Sequence, residues 1–277
     1  MPDHAQLSEA DRIKGISMRR RLFWILWLAG MAGILSFLLV DLPALIAAIP
    51  QPPGEPPAGL PPPALLKLLS LAQSAVLMTL GVLAGVCLAG RIGLHSPAAE
   101  AWAQRGDILA ALKPQLLLGA VAGLASGVAV VACWVVVKPF LAPEFIARAQ
   151  DFNALLPHFT RFLYGGFTEE ILLRWGLMTV LVWTPWRFWQ KGVGRPKTGF
   201  VVTAIVVSAL MFGAGHLPLA AMLAGGLTLA VTLYVVIANS IFGIVAGVLY
   251  WRRGLEAAII AHIFVHVVLI VAIELAV

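Results

Sequence analysis

The sequence predicts an all-α protein, a polytopic transmembrane helical bundle with about eight spans. Of its 277 residues, 61% are hydrophobic and only 12% are charged, and the mean hydropathy is +0.94. Soluble domains are about half apolar and about a quarter charged, so this composition argues against a soluble enzyme and against a disordered chain. The net charge of +6 indicates no nucleic-acid partner, because polytopic proteins collect Lys and Arg in their cytoplasmic loops.

Apolar runs define the predicted spans, because a helix needs about 20 apolar residues to cross the bilayer. The first 21 residues are polar and predict a cytoplasmic N-terminal segment. The Pro-rich stretch 41–63 is predicted to be a loop, since Pro interrupts helices. The candidate spans are 22–40, 64–89, 115–137, 162–183, 199–215, 219–238, 240–251 and 255–277. The seventh is short, because a helix rises only about 1.5 Å per residue.

The distribution of Lys and Arg predicts the orientation. With eight alternating spans, one face carries twelve basic residues and the other carries five, while Lys67 and Arg174 lie within spans. The positive-inside rule places the more basic face, which includes the N-terminus, in the cytoplasm. Arg252 and Arg253 fall on the less basic face and oppose this orientation.

The charged residues inside the predicted spans form one conspicuous cluster, in the sequence FTEEILLRWG. Glu170 and Arg174 are spaced i,i+4, so they share a helix face and are expected to pair. Glu169 points elsewhere and is left to face a cavity, where it suits a general base or acid. Charges within a span are costly and usually functional. A purely structural ion cluster is the other interpretation of the three residues.

Three histidines lie within or at the end of other predicted spans, at related depths. His216 follows Phe212 by four residues, and His262 and His266 are spaced i,i+4 on a single face. Taken alone, His216 could be an interfacial histidine, and the pair could be structural or could bind a metal. If both predicted segments between residues 219 and 251 cross the membrane, three helix ends lie on one face of it: the start of the fourth span, the end of the fifth and the start of the last. All the clusters are then expected to converge in one half of the bilayer, the outer one.

These residues together resemble a known family. Glu169-Glu170…Arg174 matches the pattern EExxxR, Phe212…His216 matches FxxxH, and His262 opens a third motif usually written HxxxN or HxxxB. The resemblance is to the CPBP family (CAAX proteases and bacteriocin-processing enzymes, also called Abi), relatives of the type II CAAX prenyl endopeptidase. It covers about residues 161–277, which predicts a catalytic core there and an N-terminal transmembrane part at 22–160.

The resemblance implies an intramembrane endopeptidase that cleaves membrane-anchored proteins or peptides without a covalent intermediate. It implies that Glu169 activates a water, that His216 holds the water, and that His262 and His266 stabilise the oxyanion. Glu170 and Arg174 would maintain the geometry of the site. His266 stands where asparagine is common, which reopens the question of a divalent metal such as zinc. Its ligands would then be Glu169, His216 and His262.

Two other functions remain open from the sequence. A proton-coupled transporter could use Glu169 and Glu170 as a relay, although no repeated halves are visible. A noncatalytic immunity or scaffold protein could retain the same fold. The expected location is the bacterial inner (cytoplasmic) membrane, and an outward-facing cavity would suit exported peptides, bacteriocin precursors or C-terminal sorting anchors.

Overall fold

The computed structural model describes residues 9–47 and 62–275, and this part of the chain is helical and contains no strand. The predicted all-α transmembrane bundle is confirmed. The helices are α1 (Glu9–Ser36), α2 (Leu42–Ala47), α3 (Pro63–Leu88), α4 (Pro97–Ala103), α5 (Ile108–Val137), α6 (Pro143–Leu155), α7 (His158–Thr160), α8 (Thr179–Phe188), α9 (Thr198–Gly215), α10 (Leu217–Ala224), α11 (Leu229–Arg253) and α12 (Leu255–Glu274). Two π-helical segments, Arg161–Glu169 and Ile171–Met178, join α7 to α8. We call residues 158–188 the motif helix.

Six helical stretches of the described chain are long and apolar enough to cross a membrane. They are Ile13–Leu39, Ala64–Ile92, Ile108–Phe140, Thr198–Ala224, Leu229–Arg253 and Leu255–Glu274. The motif helix also traverses the bundle, because Arg161 lies beside Glu274 at one end and α8 packs against the turn Ala89–Ile92 at the other. Large apolar side chains on the outer surface, such as Leu117 and Val136, are exposed, as lipid contact requires. The chain is therefore an integral membrane protein.

The two ends of the bundle are defined by contacts between loops and helix termini. At the near end, Arg21 of α1 donates to Ala103 O, and the backbone N–H of Leu255 donates to His95 O. At the far end, Lys67 donates to two carbonyl oxygens that follow α1. There, Arg148 of α6 also donates to Leu223 O of α10. The far end thus carries a cap in which α6 packs on α10.

The structure corrects two predictions about the spans. The division of residues 219–251 into two spans is wrong, because α11 runs unbroken from Leu229 to Arg253 and α10 is a short helix of the far-end cap. The single helix α11 contains no proline, the residue that interrupts helices most strongly. The prediction of a loop throughout 41–63 is wrong at Leu42–Ala47, which is helical, and at Pro63, which opens α3. Residues 48–61 lie outside the described residues.

The single α11 also moves the start of the last helix. Because α11 crosses once, α12 begins at the near end, where the Glu256 carboxylate accepts hydrogen bonds from Ser96 and from two backbone N–H groups of α4. The expectation that the fourth and last spans begin on one face is therefore wrong. His262 and His266 therefore lie on a helix that enters the bundle at the near end, whereas the motif helix enters at the far end.

Small residues let the helices that carry the site approach one another closely. A Cβ atom on Gly123 of α5 would lie 2.3 Å from Ala261 O of α12. A Cβ atom on Gly213 of α9 would lie 2.7 Å from Val236 O of α11. Close backbone contacts of this kind are typical of membrane helices, where packing rather than the hydrophobic effect drives association. They fix the positions of α9 and α12 around the motif helix.

Candidate active site

Glu170 and Arg174 form a fully buried ion pair at the centre of the motif helix. Glu170 Oε2 lies 3.2 Å from Arg174 Nε, and neither side chain is exposed. Arg174 also donates to Gly243 O of α11 at 3.1 Å. Its guanidinium lies over the rings of Phe212 and Phe242, 5.3 and 5.8 Å from their centroids. The pair lies where the sequence predicts it, and Arg174 ties the motif helix to α9 and α11.

His262 lies between the two adjacent glutamates. Its Nδ1 is 2.8 Å from Glu170 Oε1, and its Nε2 is 3.7 Å from Glu169 Oε2. Glu170 and His262 are buried, whereas 19% of the Glu169 side chain is exposed. The two carboxylates therefore differ: one is enclosed by protein partners, and the other faces an opening.

Phe212 connects His216 to this group. Its ring lies edge-on to the ring of His216, with centroids 4.8 Å apart, and edge-on to that of His262 at 5.9 Å. His216 Nδ1 is 2.8 Å from Phe212 O. A carbonyl oxygen only accepts, so Nδ1 carries the hydrogen and Nε2 is left for another partner. Phe212 therefore lies between His216 and His262, and His216 adjoins the cluster through this ring.

His266 stacks on His262 one turn closer to the far end. The ring centroids are 5.0 Å apart and the planes differ by 12°. Its Nδ1 atom is buried without a hydrogen-bond partner among the described residues. A Cβ atom on Gly165 would lie 2.3 Å from His266 Nε2 and 3.2 Å from His262 Nε2. Gly165 therefore makes room for both imidazole rings on the motif helix.

The motif helix is π-helical through most of its motif, whereas the sequence predicts an ordinary α-helix. Glu169 ends one π-helical segment and Arg174 lies in the next. π-Helical turns close i→i+5 hydrogen bonds and occur frequently at functional sites. Sequence reasoning also missed Gly165 and Phe242, which line the site. For Gly165, the available signal in the sequence was the Gly165-Gly166 pair just before the acidic motif.

The residues expected to bind a metal are Glu169, His216 and His262. Glu169 Oε2 and His262 Nε2 are close enough to share an ion, but in the described chain no group of three His, Cys, Asp or Glu side chains could hold one. The set of Glu169, His216 and His262 does not fit a metal site in this arrangement. Metal dependence stays a prediction for experiment.

Comparison with protein families gives one match. Residues 151–268 match the model of the family described as type II CAAX prenyl endopeptidase Rce1-like. Over this segment the chain is similar to the Rce1-like family. The resemblance expected from the motifs is confirmed, and all six site residues lie in the matched segment, whereas α1 to α5 lie outside it. No curated protein and no solved structure matches the chain.

The Rce1-like family implies a protease that acts on a membrane-anchored protein within a lipid bilayer. This agrees with a bundle in which the acidic and histidine side chains meet between helices.

Proposed function

We propose that this protein is an intramembrane endopeptidase that hydrolyses a peptide bond through a water activated by Glu169 and the site histidines. The observation that carries the proposal is the position of His262. It is held by the buried Glu170 on one side and faces the partly exposed Glu169 on the other.

The buried pair determines the state of His262. Arg174 beside Glu170 favours the carboxylate, which accepts the hydrogen of His262 Nδ1. His262 Nε2 then carries a lone pair and faces Glu169, so two acceptors lie 3.7 Å apart. A water between them can donate one hydrogen to each. This arrangement supports Glu169 as the base that removes a proton from the attacking water.

The remaining groups support the later steps. Water attacks the carbonyl carbon as its proton passes to Glu169, and this proton then moves to the leaving amine as the C–N bond breaks. Because the Nδ1 hydrogen of His262 is held by Glu170, we assign the oxyanion contact to an N–H of His266, the adjacent ring. A donor aimed at this oxygen is worth about 3–4 kcal/mol in other hydrolases. His216 Nε2 would help to hold the water.

Cleavage in a reconstituted assay tests these roles. Glu169→Ala or His216→Ala is expected to abolish cleavage while the protein still folds, since each removes a group that contacts the water. Retained cleavage in both variants would contradict the proposal. Trapping with Glu169→Gln, followed by peptide identification, would define the substrate. Loss of turnover after exhaustive chelation would add a metal to the mechanism.

We further propose that the near end lies in the cytoplasm of a bacterial inner membrane. The single α11 moves Arg252 and Arg253 to the near end, so the count of basic residues changes from twelve against five to fourteen against three. This removes the exception to the positive-inside rule. The site then opens in the outer half of the bilayer, which suits exported peptides or C-terminal anchors.

Thiol labelling of exposed residues at the two ends tests this orientation. Asp41→Cys at the far end is expected to react from outside, and Arg105→Cys at the near end only after the membrane is permeabilised. The reverse pattern would invert the orientation and place the site in the cytoplasmic half.

A further inference from the structure

A polar cavity opens at the far end of the bundle, behind the proposed site. Its volume is about 190 Å³, and it lies between the start of the motif helix and the end of α12. Its polar lining comes from Asn153, His158, Arg161 and Glu274. Polar groups of this density are unusual within an apolar bundle and indicate a hydrated space.

The cavity and the site lie on one seam between two helices. On α12, Ile270 lines the cavity and His266 lies four residues earlier on the same face. On the motif helix, Arg161 lines the cavity, and Gly165, four residues later, faces the rings of His266 and His262. His262 and Ile270 are two turns apart, which corresponds to about 12 Å along the helix axis.

Two buried polar atoms along this seam lack a partner in the described chain. They are Arg161 Nε near the cavity and His266 Nδ1 near the site. Buried polar atoms are satisfied by protein or by water in nearly all native structures, and internal waters bind where several polar groups converge. Neither atom has a partner among the described residues, and we infer that water fills this role at both positions.

We propose that the seam of Arg161, Gly165, His266 and Ile270 is a water inlet that supplies the hydrolytic water from the far end. This proposal rests on the proposed function, because hydrolysis consumes one water in each turnover. A bound peptide must approach Glu169 at its exposed face and thereby covers that opening. Replacement water then needs a second route, and the seam reaches the histidines from behind.

Labelling with a charged methanethiosulfonate reagent tests the inlet without any proteolysis, because the reagent reacts only with hydrated thiols. The background replaces Cys87 and Cys133 by Ala. Ile270→Cys is expected to react, whereas Val268→Cys, at similar depth but packed against Gly127 of α5, is expected to resist. An unreactive Ile270→Cys would overturn the proposal.

A plug distinguishes this route from the opening at Glu169. His266→Cys is expected to react, and adding Ile270→Trp is expected to slow that reaction by about tenfold or more, since the indole fills the seam. Equal labelling rates of His266→Cys with and without Ile270→Trp would overturn the proposed inlet, whatever the enzymatic activity of the variants. Elution by size-exclusion chromatography confirms that each variant folds, and Ile270→Phe replaces the plug if the Trp variant does not.

Steady-state cleavage then connects the inlet to function. Ile270→Trp is expected to lower kcat by about tenfold at unchanged KM, a loss of about 1.4 kcal/mol in transition-state stabilisation. Val271→Trp is the matched control, because the neighbouring side chain is 51% exposed on the outer surface. If labelling is slowed while kcat is unchanged, the proposal that the seam supplies the hydrolytic water is wrong. Absence of cleavage in the wild type would instead contradict the proposed function.

Discussion

Glu169 and Glu170 are neighbours in the chain and lie in different environments. Glu170 is fully buried and contacts both Arg174 and His262, at 3.2 and 2.8 Å. Glu169 is 19% exposed, and its nearest basic group is His262 at 3.7 Å. Two adjacent acidic residues within a membrane can therefore have separate structural and chemical roles. The enclosed carboxylate orients a histidine, and the open one remains available to a water.

The largest effect on stability is expected from Glu170→Ala. Removing one partner of a buried pair leaves Arg174 uncompensated, which costs about 3–5 kcal/mol. The free energy of unfolding, measured by SDS titration in mixed micelles, should fall by this amount. Glu169→Ala is the matched control and should change it by no more than about 1 kcal/mol. Equal losses of unfolding free energy in the two variants would contradict the proposal that Glu170 has a structural role and Glu169 does not.

A smaller loss is expected from Arg174→Lys. Lysine keeps the charge but lacks the planar fork that contacts Glu170, Gly243 and the two aromatic rings. Because a hydrogen bond to a charged group contributes about 1.5–3 kcal/mol, stability should fall within that range. Arg187→Lys is the exposed control on the same helix. If both replacements leave the unfolding curve unchanged, the stability of the buried Glu170 carboxylate does not depend on the guanidinium of Arg174.

The smallest effect is expected from Phe212→Leu, which removes the ring between His216 and His262. Aromatic pairs contribute about 0.5–1.5 kcal/mol beyond their buried area, so kcat should fall by about tenfold or less. Phe188→Leu, at an exposed position, is the control. A complete loss of cleavage would mean that Phe212 determines the fold of the site rather than the position of His216.

The sequence predicts the fold class well and the arrangement of the candidate site residues less well. Composition and span length decide the all-α bundle, and scarce charges make Glu169, Glu170 and Arg174 visible. The predicted division of residues 219–251 into two spans is wrong, because hydrophobic periodicity does not show where an apolar run is interrupted. The contact of His262 with Glu170 was not foreseen, because it joins two helices 92 residues apart. Neither was the π-helical winding, which depends on packing rather than on local sequence.

Cleavage by the Glu169→Gln variant is the decisive measurement of whether Glu169 is the base. Glutamine preserves the size of the side chain and removes the base, so purified protein in proteoliposomes should keep its unfolding free energy. Its kcat/KM should fall by about 10²–10⁴-fold. A Glu169→Gln variant that cleaves a membrane-anchored substrate at the wild-type rate would contradict the account, because the open carboxylate would then have no part in the reaction.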